Sequence, residues 1–233
     1  MILPKSFDEL PDSMKKEEVR EYYDSLAKKR FQLWLKRAFD IILSSLLILI
    51  LSPVMLVLAA IIKLTSAGPV FFRQTRVTTF GKDFYILKFR SMIQNADKIG
   101  PLVTVGNDER ITKVGRFLRK THLDEVPQLF NVWKGEMSFV GTRPEVPKYV
   151  SAYTDAMMAS LLLPAGITSE ASIRFTDEAE LLSGASDADT AYINVILPQK
   201  MVFNLNYLRE FSVVNDLYIL IQTFLLFLGV RNG

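Results

Sequence analysis

Asp124 and Glu125 stand side by side in a chain with few other groups able to do chemistry. There is no cysteine, and His122 is the one histidine. That removes thiolate nucleophiles, disulfides, thiolate or multi-histidine metal sites and most Ser/His catalytic designs. Acid–base, nucleophilic or metal chemistry must then rest on carboxylates, Lys, Arg, Tyr or hydroxyls. The pair reads as the opening of a helix. Pro127 falls in its first turn, where a missing N–H costs little, and the positive end of the helix dipole favours ionised carboxylates. In isolation an adjacent Asp-Glu is usually no more than a helix-start acidic pair, but the neighbours change that reading. Arg119 and Lys120 precede it, Arg143 follows it, and Lys88 and Arg90 lie in Lys88-Phe89-Arg90-Ser91-Met92. Carboxylates ringed by cations suit a phosphorylated lipid or nucleotide. Arg grips phosphate oxygens bidentately and Lys acts as a point charge, while a carboxylate binds magnesium or attacks phosphorus.

The charge distribution agrees. Between Lys63 and Lys120 twelve Lys/Arg face four Asp/Glu, a local +8 in a chain whose net charge is +3. A basic middle fits a polyanionic partner or, more blandly, a solvated basic face. The length, 233 residues, allows one good-sized domain with attached helices, and 49% hydrophobic residues suffice for a packed core.

Beside this stretch, Ile41 to Ile62 runs for 22 residues without a charge. As a helix it reaches about 33 Å, enough for a bilayer core of about 30 Å. It starts too far into the chain, after too mixed a flank, to be expected as a cleaved signal peptide. A buried core helix of this length would be unusual in a small domain. Ser52-Pro53 falls at its centre, where proline removes a backbone hydrogen bond and kinks the helix and the Ser hydroxyl is available to a freed backbone group. Lys28, Lys29, Arg30, Lys36 and Arg37 lie before it, and Lys63, Arg73, Arg76 and Lys82 after it. A straight span would export one of these clusters, against the positive-inside tendency. A re-entrant helix broken at Ser52-Pro53 keeps both flanks on one side and is the preferred expectation.

Elsewhere, residues 1–11 read as a loose terminus. A polar helix is expected from an N-cap at Asp12 toward Arg37, continuing into the apolar segment. Val70-Phe71-Phe72 and Phe84-Tyr85-Ile86-Leu87 read as short strands of a hairpin around Phe80-Gly81-Lys82-Asp83. Residues 109–119 and 126–133 suggest short helices. Residues 150–190 suggest a helix, a turn at Pro164–Gly166 and a polar acidic segment. Leu217 to Val230 is apolar and too short to span comfortably, which suits an interfacial or core helix. The expected fold is mainly α with a small β element, a monotopic membrane protein with a re-entrant helix and interfacial amphipathic helices. The divisions are 1–37, an N-terminal helical extension; 38–64, the re-entrant helix; and 65–233, a cytoplasmic catalytic domain with a C-terminal interfacial helix.

The segments KLTSAGPVFFRQTR, FYILKFRSM, DERITKVGRFLRK, LDEVPQLFNVWKGEMSFVGTRPE and AGIT closely resemble the bacterial sugar transferases, monotopic phosphoglycosyl transferases acting on polyprenyl phosphate. The likeness is dense from about Lys36 to Tyr149 and thinner to about residue 228. It implies transfer of a phosphosugar from a UDP-sugar to undecaprenyl phosphate with release of UMP, as the first membrane step of glycan assembly. It also implies that Asp124 is the nucleophile, that Glu125 associates with Mg²⁺, that Lys88, Arg119 and Arg143 match the family's cationic positions, and that Ser52-Pro53 matches its helix-breaking pair. Arg90 joins the phosphate-binding set. Expected partners are a UDP-sugar, polyprenyl phosphate, the lipid bilayer and a second copy in a homodimer, not nucleic acid; the expected location is the cytoplasmic face of a bacterial inner membrane. The sequence departs from the family pattern at His122 (usually Ser), Thr142 (usually Pro), Val77-Thr78-Thr79 and residues 165–174. The competing reading is a non-catalytic membrane scaffold binding anionic lipid through the basic stretch.

Overall fold

The computed structural model describes residues 3–96, 108–176, 181–182 and 187–229. Helix α1 (Glu17–Ala27) carries Val19, Tyr22, Tyr23 and Leu26 on one buried stripe, the spacing of an amphipathic helix. Helix α2 (Arg30–Thr65) contains the whole uncharged run, with Pro53 inside it. It is long and apolar enough to cross a membrane. Its outward faces carry Ile42, Leu46, Leu49, Ile50, Leu56, Val57 and Leu64, all exposed. Proline at 53 leaves the carbonyl four residues back without its helical donor. The Ser52 hydroxyl donates to that carbonyl, Leu49 O, at 2.9 Å, so the dipeptide breaks one bond and replaces it.

Strands β1 (Phe71–Val77) and β2 (Asp83–Phe89) form an antiparallel hairpin, with Phe71 opposite Phe89 and Val77 opposite Asp83. Helix α3 (Lys113–Lys120) is N-capped by Thr112, whose Oγ1 accepts from Gly115 N at 2.9 Å. Gly115 is there for close approach: a Cβ would lie 1.8 Å from Ser91 O. Helix α4 (Gln128–Lys134) follows, closed by Gly135 in the left-handed region (φ 86°). Strands β3 (Met137–Val140) and β4 (Ala165–Thr168) pair in parallel, Met137 opposite Ala165 and Val140 opposite Thr168. A helix at Leu197–Arg209 and a final one at Val213–Phe227 complete the chain.

Under the site, Met55, Leu58 and Ile62 of α2 cluster with Phe89 and Leu118. Burying side chains of this size contributes about 1.5–3 kcal/mol each, so the second half of α2 is bound to the β2–α3 layer. The first half is fastened elsewhere. Arg37 donates to the last carbonyls of α4, Val132 O at 2.7 Å and Trp133 O at 2.8 Å, a favourable place for a cation. Lys36 and Asp216 form a buried ion pair at 2.7 Å, with Tyr207 donating to the same carboxylate.

The mainly helical character and small β content expected from the sequence are seen, with several local differences. The terminus is not loose. Leu3, Phe7 and Leu10 are buried, and Arg30 donates to Leu3 O and Pro4 O. Asp12 does not cap α1, which begins at Glu17; Asp12 sits in a separate 3-10 turn and pairs with Lys15. The polar helix does not run unbroken into α2. Lys29 leaves the helical region (φ −111°, ψ 23°) and sends its ammonium to Phe211 O at 2.8 Å. Pro164–Gly166 is not a turn but the entry to β4. Gly166 and Gly141 touch so closely that a Cβ on Gly166 would lie 2.2 Å from Gly141 N. The strands of the hairpin extend further than the sequence patterns suggest, and the final helix is shifted toward the N-terminus, starting at Val213 and ending at Phe227. Residues 177–180 and 183–186 of the acidic segment, and Val230, lie outside the described residues.

Candidate active site

Three elements deliver the charged groups. Lys88 comes from the C-terminal end of β2, Asp124 and Glu125 from a 3-10 turn (Leu123–Glu125) between α3 and α4, and Arg143 from the loop after β3. The carboxylate pair therefore precedes α4 rather than opening it, and Pro127 is the N-cap residue. The turn is entered through His122 in the left-handed conformation (φ 54°, ψ 16°), uncommon for a residue with a Cβ. The His122 ring meets Phe227 edge-on at 5.0 Å, which brings the end of the final helix over the turn.

Glu125 is the hub. Its Oε1 accepts from Lys88 Nζ at 2.7 Å and from Arg143 Nη2 at 3.0 Å. Burial alone would raise this carboxyl, but Lys88 and then Arg143 outweigh it and hold Glu125 far below the ordinary carboxylate range. Asp124, 7% exposed, behaves oppositely. Burial pushes it up, ahead of the opposing pull of Lys88, and the Glu125 charge adds to the rise; Arg119 and His122 act against it. Its carboxyl makes no side-chain hydrogen bond among the described residues, whereas Glu125 takes both cations. The two adjacent acids thus divide the work: one is an ionised anchor for cations, the other an uncommitted carboxyl in a cationic surround.

Lys88 is in place because β2 is clamped to α4. Leu87 N donates to Asn131 Oδ1 at 3.0 Å, and Asn131 Nδ2 donates to Tyr85 O at 2.9 Å and to Glu136 Oε2 at 2.7 Å. Asn131 is fully buried, and sequence reasoning missed it; an amide set among Leu129, Phe130, Val132 and Trp133, six residues past Glu125, was the available signal. Arg119, in the last turn of α3, acts on Asp124 through its charge. Arg90 stands differently from the rest. It is buried, its Nη2 donates to Ser66 O at 2.8 Å and Ser66 Oγ at 2.7 Å, and its Nε and Nη1 have no hydrogen-bond partner among the described residues. Its bonds go to the end of α2, not to the carboxylates.

No group of three or more His, Asp or Glu converges among the described residues. A magnesium ion that relies on one or two carboxylates and on substrate phosphates needs no such group. Asp124 and Glu125 supply oxygen donors of that kind, and both cations on Glu125 occupy Oε1, so the donor chemistry fits.

Residues 31–229 match the family described as bacterial sugar transferase. The chain belongs to that family. A UDP-glucose:undecaprenyl-phosphate glucose-1-phosphate transferase of Escherichia coli is 40% identical over 193 residues, covering 81% of this chain and 39% of that protein. A UDP-N-acetylgalactosamine-undecaprenyl-phosphate N-acetylgalactosaminephosphotransferase of Aeromonas hydrophila is 36% identical, covering 85% and 45%. A UDP-glucose:undecaprenyl-phosphate glucose-1-phosphate transferase of Caulobacter vibrioides is 36% identical, covering 81% of this sugar-transferase chain and 67% of the relative. The chain thus spans about two fifths of the length of the E. coli relative. Every residue of the site lies within the matched range.

Proposed function

We propose that the chain transfers a phosphosugar from a UDP-sugar to undecaprenyl phosphate through a covalent intermediate on Asp124, as the first membrane step of glycan assembly. A carboxylate oxygen of Asp124 attacks the phosphorus that carries the sugar. The bond to the bridging oxygen breaks and UMP leaves with that oxygen and the electron pair. An oxygen of the lipid phosphate then attacks the same phosphorus, the acyl-phosphate bond breaks, and the Asp124 carboxylate is restored with the diphosphate-linked lipid as product. Lys88 and Arg143, already aligned on Glu125, face the charge that develops on the phosphoryl oxygens, and Arg119 adds to it. Glu125, with Asp124, is the residue to hold Mg²⁺, which when bound supplies neutralisation of diphosphate charge. The observation that carries this reading is the contrast within the pair: Glu125 locked between two cations, Asp124 buried without a hydrogen-bonding partner among the described residues. The names of the relatives support the reaction class. They differ in the sugar, so the sugar is left to experiment.

The same reading makes α2 a re-entrant helix bent at Pro53, with both basic flanks and the site at the cytoplasmic face of a bacterial inner membrane. A straight helix would part Arg37 and Ser66 by about 44 Å. Yet Arg37 bonds Val132, Asn131 bonds Leu87, and Arg90 bonds Ser66, so a short chain of contacts ties the two ends of α2 to one small body. The Ser52–Leu49 bond relieves the break. The final helix, exposing Val214, Leu217, Tyr218, Ile221 and Phe224 while burying Asp216 and Ile219, lies in the interface on this reading. The deciding experiment is UMP release over a panel of UDP-sugars with undecaprenyl phosphate and magnesium. Release that requires both the lipid phosphate and Asp124 is expected. Binding of anionic lipid with no UMP from any donor would replace this reading with the membrane scaffold.

A further inference from the structure

Two residues after Arg143 in sequence, Glu145 enters a buried polar chain that the transfer chemistry does not use. Arg143-Pro144-Glu145 runs out of β3 and is stitched to β1: Arg76 Nη1 donates to Pro144 O at 2.9 Å and Val77 N to Glu145 O at 2.9 Å. The Glu145 side chain turns inward, 6% exposed, and its Oε1 accepts a short hydrogen bond from the Tyr192 hydroxyl. Lys200, also buried, donates its ammonium to the same hydroxyl at 3.2 Å. The Tyr192 ring rests against Tyr149 with centroids 4.7 Å apart, and the Tyr149 hydroxyl donates to Asp189 at 2.6 Å. Tyr192 opens a π-helical turn, Tyr192–Ile196, ahead of the Leu197–Arg209 helix. Such turns are rare and cluster at functional sites.

Electrostatics give this chain a direction. Arg76 is half-buried, attracted by Glu145 and repelled by Arg143. Two guanidiniums therefore stand near each other; the inner one is held by Gln74 Oε1 and Pro144 O, and the charge of Glu145 offsets its repulsion from Arg143. Lys200 donates to Tyr192 and Tyr192 donates to Glu145, so each bond polarises the next toward the carboxylate. The result is a fixed backbone at Pro144–Glu145 one residue from the guanidinium that meets Glu125.

We propose that Glu145 and Tyr192 are positioning residues for Arg143: they hold its backbone so that the guanidinium is presented to Glu125 and to the donor's diphosphate. This rests on the transferase reading and goes beyond it, because neither residue touches the reacting atoms. A purely structural role would lower thermal stability and leave donor kinetics alone, whereas a positioning role shows in the donor.

The test compares the wild type, Glu145→Gln, Tyr192→Phe, Arg143→Ala and the two double variants with Arg143→Ala, all as full chains in lipid nanodiscs. UMP release is followed against UDP-sugar concentration, with unfolding temperature as a separate readout. Glu145→Gln keeps the shape and removes the charge. It is expected to raise KM for the UDP-sugar about tenfold, the coupling of residues in one network, with a smaller effect on kcat, and Tyr192→Phe to do so more weakly. On the Arg143→Ala background neither change is expected to add a further loss. Equal losses on both backgrounds, or unchanged KM at any unfolding temperature, would overturn the positioning role. If Glu145→Gln does not fold, Tyr192→Phe decides by the same criteria. If the wild type itself releases no UMP, the transferase reading falls and the positioning role falls with it. If the wild type turns over and the variants match it, only the positioning role falls.

Discussion

Replacing Glu125 by Gln tests the division of labour between the two acids through stability alone. Glu125 and Lys88 are 2.7 Å apart with side chains 17% and 19% exposed. Breaking a pair this buried leaves a cation without its counter-ion and costs about 3 kcal/mol. Arg143 pairs with the same oxygen but its side chain is 40% exposed, so solvent screening reduces its share to about 1 kcal/mol or less. A loss of about 3–4 kcal/mol lowers the unfolding temperature of a domain this size by roughly 6–16 °C. Because the folded-state carboxyl titrates well below its unfolded value, its stabilisation is fully present above about pH 4.3 and is lost as pH falls below that toward the folded value. The gap between wild type and Glu125→Gln should hold from pH 8 to pH 5 and narrow below about pH 4. Thermal unfolding in nanodiscs across that range reads both features. A gap under 2 °C at neutral pH, or one that persists unchanged into acid, refutes the role of Glu125 as the charged anchor.

The neighbouring position should respond with the opposite sign. Burial raises Asp124, so its native state gains protons more readily than the unfolded chain and stability rises as pH falls through the window between the folded and unfolded values; Asp124→Asn should raise the unfolding temperature at pH 7 while reducing UMP release by more than about 10³-fold. In wild type, turnover should fall on acidification at a pH above the ordinary carboxylate range, as the attacking group becomes protonated. Pro53→Ala restores the Leu49 hydrogen bond within the helix and is expected to straighten α2. Since the chain has no cysteine, single cysteines at Lys28 and Lys82 report the sidedness of each flank to a membrane-impermeant thiol reagent; both should label from one side in the parent, and labelling from opposite sides in the parent contradicts re-entry. Gly115→Ala places a methyl 1.8 Å from Ser91 O, and should cost about 3 kcal/mol or more by driving α3 from the Lys88–Met92 segment; unfolding within 2 °C of the parent counts against that contact.

What could be read from the chain beforehand follows the range of the interactions. The carboxylate pair and its cations are local signals, and so is Ser52-Pro53, where the Ser52 hydroxyl meets the carbonyl that proline orphans within the helix. The hairpin is legible because aromatic and β-branched residues flank a turn. Arg90 reads from the sequence as one of the expected phosphate-binding cations; only the fold reveals Ser66, 24 residues earlier, as its partner. Pro164-Ala165-Gly166 carries every mark of a turn, yet two glycines from distant segments meet there and let a strand form. The Lys36–Asp216 pair spans 180 residues, and nothing near Lys36 in sequence announces it. Adjacent Asp124 and Glu125 look alike in sequence; which takes the cations depends on where β2 and the post-β3 loop arrive.

That distant ion pair decides how the molecule is to be handled at the bench. The long apolar helix is not a detachable tether, because Lys36 neutralises Asp216 inside the globular part and Met55, Leu58 and Ile62 fill the space against Phe89 and Leu118. Deleting residues 1–64 to obtain a water-soluble fragment would strip a counter-ion and a wall from the remaining fold, so preparations must keep this helix if they are to keep the fold.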